Sequence, residues 1–237
     1  MEQVTDVCAG LAGVALEERA QAMTLQLRKA FGNARFELCT DLDLALSAAG
    51  LAPAIVLVAG TGSAAVGKDA SGRVVRSGGH GPKKSDEGSA FAVGKRAIKE
   101  LTAAVTESTQ ELRNKVLKEL SVTSLDGLAT LEGASADAVY PCVFPLIARA
   151  ADEGDELARR LLREASENLA GFVADVQAEL QLVGSSFLLG RTGGMIARSK
   201  FFDEYLDASL QRVAPNAKLQ NLTIPLAEVA AKRALGL

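Results

Sequence analysis

Positions 4–8 form a short strand candidate and apolar residues alternate with polar ones over 34–40, whereas over 16–31 and 42–49 they recur every three or four residues. The first spacing predicts strands and the second helices, so the chain opens on the strand–helix–strand–helix rhythm of an α/β sheet. From Ala54 the spacing changes. Three short stretches, 55–59, 63–67 and 73–77, follow one another with turn chemistry between them, Lys68-Asp69-Ala70-Ser71-Gly72 reading as a hairpin loop. They predict a β-meander. The glycine-rich run that starts at Gly78 then leads into a helix over 89–106, and more helices follow, with breaks expected near 121–126, 133–136 and 141–145. A long helix over 155–180 is read as running into a strand at 180–183. Gly184-Ser185-Ser186, a helix over 195–213, a strand over 218–223 and a helix from Pro225 complete the pattern.

Composition narrows the partners. The 237 residues are 48% hydrophobic and 23% charged, enough apolar content for one large core or two small ones. Lys plus Arg number 26 against 29 for Asp plus Glu, and a net charge of -3 gives no reason to expect nucleic acid as the main partner. A small acidic or phosphorylated ligand is still allowed. No basic-then-apolar leader and no run of membrane length stands out, so the expected location is the cytoplasm, with no membrane partner. Cys8, Cys39 and Cys142 are widely separated and read as buried free thiols rather than as ligands or a disulfide framework. No metal-ligating set is expected within the chain.

Two readings stand at Gly60-Thr61-Gly62-Ser63. Glycine supplies the positive φ of a tight turn; equally, small residues let backbone N–H groups and two hydroxyls approach phosphate oxygens. The stretch does not follow the GxxxxGK[ST] pattern. Asp41 comes directly after an expected parallel strand, where open α/β sheets bind ligands, and an aspartate there can accept a proton from an attacking hydroxyl or cap the following helix. Asp43 competes for either task. His80, the single histidine, reads as a surface loop residue or a ligand contact, and Lys83 with Lys84 as a solvated pair.

The run 55–90, carrying AGTGS, GGHG and SDEGSA at this spacing, resembles the BadF/BadG/BcrA/BcrD-type ATPase family, and within it the N-acetylglucosamine kinases. The resemblance extends to Cys8-Ala9-Gly10-Leu11-Ala12-Gly13, Thr40-Asp41, the 148–155 segment and Leu182-Val183-Gly184-Ser185-Ser186. It implies the actin and sugar-kinase fold, two ribonuclease-H-like lobes closing over ATP, with Mg²⁺ bridging its phosphates. It implies that Gly60, Thr61, Gly62 and Ser63 hold phosphates, that Asp41 is the catalytic base, and that His80, Gly81 and Asp86 contact an amino sugar. Ala151, Gly184 and Ser185 would line the adenosine pocket. Two departures are visible: His80 stands where the family has tryptophan, and Ser85 where it has glycine.

On this resemblance residues 1–52 form part of a first lobe and 53–237 the second, with the last helix returning to the first lobe. The family's opening Asp-Gly-Gly-Gly phosphate loop has no match, so the first lobe reads as truncated, its exposed sheet edge favouring a homo-oligomer. The implied activity is ATP-dependent phosphorylation of an amino sugar such as N-acetylglucosamine or glucosamine. Two alternatives stay open: a catalytically impaired nucleotide- or sugar-binding protein of the same fold, and an activator ATPase holding an iron–sulfur cluster through its cysteines.

Overall fold

A computed structural model of the chain describes residues 4–81, 86–103 and 106–236. Lys83, Lys84 and Ser85 lie outside the described residues, and so do the expectations attached to them. Strands β1 (Asp6–Gly10) and β2 (Arg35–Cys39) pair in parallel, Asp6 opposite Arg35 and Gly10 opposite Cys39. Parallel neighbours need a crossover. Helix α1 (Glu17–Phe31) supplies it without fully burying any residue. Helix α2 (Asp41–Ala48) leaves β2 through a capping box: Thr40 Oγ1 accepts from the Asp43 amide at 3.1 Å, and the Asp43 carboxylate accepts from the Thr40 amide at 2.9 Å and hydroxyl at 2.7 Å.

The second sheet is the expected meander with two more strands added. Strands β3 (Ala54–Ala59), β4 (Ser63–Lys68) and β5 (Val74–Gly78) run antiparallel in sequence. Strands β6 (Leu188–Thr192) and β7 (Lys218–Asn221) continue it in parallel beyond β3, giving the order β5-β4-β3-β6-β7. Helices α3 (Ala90–Ala103), α4 (Glu107–Glu119), α5 (Gly133–Glu153), α6 (Glu156–Glu179) and α7 (Lys200–Val213) build the main core against one face. Ile55, Leu57 and Leu189 point there, meeting Ile98, Ile147, Leu169 and Phe202. The alternate residues Val56, Ala64 and Val66 point to the other face and meet Leu42, Ala45 and Leu46 of α2. Cover on both faces is why β3 reads as a continuous apolar run.

Helix α8 (Leu226–Ala234) brings Val229 and Ala230 against Cys39 and Leu44, and its Arg233 pairs with Glu37. Helix α2 thus lies between the two sheets.

Four sequence expectations need correction. No break occurs at 141–145: Pro141 and Pro145 sit inside α5, where burial of Tyr140, Val143, Phe144 and Ile147 outweighs the ~3 kcal/mol that an interior proline costs. Gly133 begins that helix instead of interrupting one. Residues 180–183 form no strand, because the Leu182 amide turns back to the Gln177 carbonyl at 2.8 Å and Gln181 takes φ +58°. The strand is β6, five residues later. Finally, α7 starts at Lys200 with Ser199 as its cap, Ser199 Oγ accepting from the Phe202 amide at 3.1 Å.

Candidate functional site

Three strands release their chains near one place. β3 ends at Ala59 before the 60–63 turn, β6 ends at Thr192 before Gly193-Gly194, and β2 ends at Cys39 before Thr40-Asp41. Because β3 and β6 are parallel, with Val58 opposite Thr192, the first two turns emerge side by side. A Cβ on Gly60 would lie 3.7 Å from the Gly194 nitrogen, and one on Gly193, at φ +113°, would strike the Ala59 carbonyl at 2.2 Å. Only glycine fits at 193.

The 60–63 turn is held from below by α3. The Ala90 amide donates to the Gly60 carbonyl at 2.9 Å and the Phe91 amide to the Thr61 carbonyl at 3.3 Å. In a trans peptide the C=O of one residue points opposite to the N–H of the next. The Thr61 and Gly62 amides therefore face away from α3, and among the described residues neither has an acceptor. Such a pair of outward amides is an anion-binding concavity. The hydroxyls divide. Thr61 is exposed, whereas Ser63 is buried and donates to the Glu87 carbonyl at 2.8 Å, so its hydroxyl braces the loop instead of facing a ligand.

Asp86 adjoins the turn: a Cβ on Gly62 would stand 2.9 Å from its Oδ2. Its Oδ1 is buried with no hydrogen-bond partner among the described residues. Burial raises its carboxyl above the usual aspartate range; the Gly81 amide draws it down, Glu87 raises it again and His80 lowers it. His80 is exposed, and Gly81 takes φ +93° directly after it.

Asp41 occupies the first turn of α2, half-buried. With Asp43 engaged by Thr40, the two carboxylates are told apart: Asp43 does the capping, and Asp41 makes no hydrogen bond or ion pair among the described residues. Leu42, the next residue, packs with Ala64, and a Cβ on Gly79 would lie 3.8 Å from Leu42 Cδ1. That packing sets the start of α2 beside the ends of β3 and β5. The geometry thus gathers Gly60, Thr61, Gly62, His80, Gly81 and Asp86, and sets Leu42, the neighbour of Asp41, beside Gly79.

Gly184 and Ser185 are elsewhere. They are exposed in the turn before β6, at the opposite edge of the sheet, where Asn216 Nδ2 donates to the Gly184 carbonyl at 2.7 Å. Gly193 and Gly194, which the sequence reading did not single out, follow the other end of that strand, beside Gly60. Ala151 is fully buried near the end of α5, its carbonyl accepting from Arg159 Nε at 3.0 Å. Its neighbour Asp152 accepts from the Ser199 hydroxyl at 2.8 Å and the Phe201 amide at 2.9 Å, so this end of α5 abuts the segment running on from Gly194.

Cys39 closes β2 just before Thr40-Asp41, with Cys8 of β1 beside it, and Cys142 lies on α5. Burial first, and then its neighbour Cys8, pushes the Cys39 thiol up to about 12, which keeps it protonated, and Cys142 is exposed on α5 with its sulfur donating to the Ala138 carbonyl at 3.1 Å. Among the described residues no group of three or more His, Cys, Asp and Glu side chains is placed to hold a metal, and no helix is long and apolar enough to cross a membrane.

Residues 1–226 match the family described as the BadF/BadG/BcrA/BcrD ATPase family. An N-acetylmuramic acid/N-acetylglucosamine kinase of Clostridium acetobutylicum is 26% identical over 213 residues, 86% of this chain and 69% of that protein. An N-acetyl-D-glucosamine kinase of Dictyostelium discoideum is 26% identical over 229 residues, 93% of this chain and 72% of that protein. A crystal structure from Chromobacterium violaceum, named for N-acetylglucosamine kinase, superposes with a TM-score of 0.69 at 22% identity, covering 94% of this chain and 74% of that one. The fold is that of the two-lobed sugar kinases.

Proposed function

The chain belongs to the BadF/BadG/BcrA/BcrD ATPase family, and on that premise we propose that it transfers the terminal phosphoryl group of ATP to a hydroxyl of an amino sugar such as N-acetylglucosamine or glucosamine. The observation that carries the reading is the pair of outward amides at Thr61 and Gly62 beside the Asp86 carboxylate, with Asp41, which makes no hydrogen bond or ion pair among the described residues, next to the Leu42 that packs by Gly79. Both relatives named above are kinases of N-acetylglucosamine, which supports the choice of acceptor.

Each group has a role. The Thr61 and Gly62 amides hold phosphate oxygens, while Gly193 and Gly194 leave room for the nucleotide beside them. Asp86 accepts hydrogen bonds from sugar hydroxyls, flanked by His80 and Gly81. Asp41 takes the proton from the attacking hydroxyl and holds it in line. Mg²⁺ is commonly held by one or two carboxylates together with substrate phosphates, and Asp41 or Asp86 would supply the carboxylate here. When bound it neutralises charge between the phosphate oxygens.

The location that fits is the cytoplasm. Among the described residues each strand of the β1–β2 sheet has one neighbour, leaving open edges, and an open edge can pair with another chain; we infer a homo-oligomer, to be checked by light scattering.

Turnover and ATP affinity of Asp41→Asn test the reading. The expected loss is ~10²–10⁴-fold in kcat with ATP binding retained. Asp43→Asn should instead lower stability by ~1 kcal/mol through the cap, with turnover largely kept. Full turnover in Asp41→Asn, or ATP binding without transfer to either sugar, would overturn it, the latter in favour of a nucleotide-binding protein.

A further inference from the structure

We propose that Arg191 and Asp203 are positioning residues for the nucleotide, members of a charge cluster behind the Gly193-Gly194 turn that holds this turn against the one at 60–63. This rests on the kinase reading above, which puts the nucleotide beside those glycines. Arg191 lies on β6 opposite Leu57 of β3, on the face that carries Leu189 into the main core, and it is only 8% exposed. A guanidinium there is costly unless it is paired. Its partner is Asp207 of α7, and Asp203 stands one turn earlier on the same side of that helix. Burial lowers the pKa of Arg191 and raises that of Asp203, while each charge draws the other back toward its ordinary range. The two groups therefore sense each other.

What the cluster holds is the segment between β6 and α7. Asp203 Oδ1 accepts from the Ala197 amide at 3.2 Å, and Ala197 takes φ +61°, a left-handed conformation that a side chain disfavours. A residue stays there only when its surroundings impose it. The same segment is tied at two more points: the Met195 amide donates at 3.0 Å to the carbonyl of Ala59, the last residue of β3, and Asp152 accepts from the Ser199 hydroxyl at 2.8 Å. The place of Gly194 beside Gly60 thus depends on α7 through Asp203, and Asp203 depends on Arg191, whose cation offsets two carboxylates one turn apart. Without it Asp203 and Asp207 repel each other. Asp86, on the sugar side, is carried by the lead into α3 instead, its carbonyl accepting from the Ser89 amide at 3.2 Å.

The test measures the affinities for ADP and for N-acetylglucosamine separately, by calorimetry. Arg191→Gln should weaken ADP binding about tenfold and leave sugar binding within about twofold, a split that a general loss of stability does not produce. Arg191→Lys keeps the charge and should hold ADP binding within about threefold of the unaltered chain. Asp203→Ala, which releases Ala197 and leaves Arg191 paired with Asp207, should repeat the loss for ADP alone, and it decides the matter if Arg191→Gln does not fold. Unchanged ADP affinity in Asp203→Ala or in folded Arg191→Gln, equal losses for ADP and sugar, or an Arg191→Lys variant as weak as Arg191→Gln overturns the inference. If the unaltered chain binds ADP and phosphorylates the sugar while the variants match it, this inference alone falls; if the unaltered chain binds no ADP, the kinase reading falls with it.

Discussion

The Asp86 carboxyl lies beside Gly62 with one oxygen buried and without a partner among the described residues, and burial holds its pKa above the ordinary range. A raised native pKa means that the folded chain keeps this proton to higher pH than the unfolded chain does. The contribution to stability is complete below the ordinary aspartate value and is lost as pH rises through the raised one. At neutral pH the ionised group therefore opposes folding. Asp86→Asn should raise the melting temperature at neutral pH and leave it unchanged in acid below the unfolded pKa. The same variant should weaken sugar binding by about tenfold or more, because a charge-assisted acceptor is gone. Melting curves at the two pH values and a sugar titration check both halves. A residue that costs stability where it stands, and adjoins the 60–63 turn, fits a binding role better than a structural one.

Helices α3 and α5 cross at close range. A Cβ on Gly94 would lie 1.9 Å from the Tyr140 carbonyl oxygen, backbone that cannot rotate aside. The same crossing is locked by Phe91 against Tyr140, edge to face at 5.0 Å, and by the Tyr140 hydroxyl donating to the Leu128 carbonyl at 2.8 Å. Gly94→Ala should destabilise the chain by about 3 kcal/mol through overpacking. Since the first amides of α3 brace the 60–63 turn, it should also weaken ATP binding. Gly171, inside α6, has nothing within 4 Å of its added Cβ, so Gly171→Ala should stabilise by ~0.5–1 kcal/mol. Denaturant midpoints of the two variants separate close packing from helix propensity.

At the scale of the whole molecule, the first sheet has little core of its own. It relies on α8, whose Val229 and Ala230 cover Cys39 and Leu44, and on the pairing of Arg233 with Glu37. Ending the chain before Leu226 should expose that cluster while leaving the main core of the second sheet intact. Hydrogen exchange should then show lost protection in β1, β2 and α2 with protection retained in β3, β4 and α6. ATP binding at the 60–63 turn should survive and phosphoryl transfer should not, because Asp41 rides on α2. Unfolding of both regions together would show that the sheets form one cooperative unit.

What the sequence determined by itself was set by local chemistry. Glycine at tight turns, the Asp69 hairpin loop, the apolar run of β3 and the three- and four-residue spacing in α1, α3 and α6 act over a few neighbours, and they sufficed for the meander, the glycine turn at 60–63 and the position of Asp41 after a strand. Tertiary structure decided the rest. Strand β6 is five residues long with Gly190 and Arg191 within it, and exists because β3 and β7 flank it; a Cβ on Gly190 would press on Leu222 at 2.7 Å. No local period announces such a strand, so the sequence alone did not show that Gly193 and Gly194 follow a strand end beside Gly60. Two prolines persist inside α5 because its buried face outweighs their cost. Which of Asp41 and Asp43 caps α2 likewise needed coordinates: the resemblance alone had favoured Asp41 as the base, and the bonds from Thr40 show that Asp43 is the one spent on the cap.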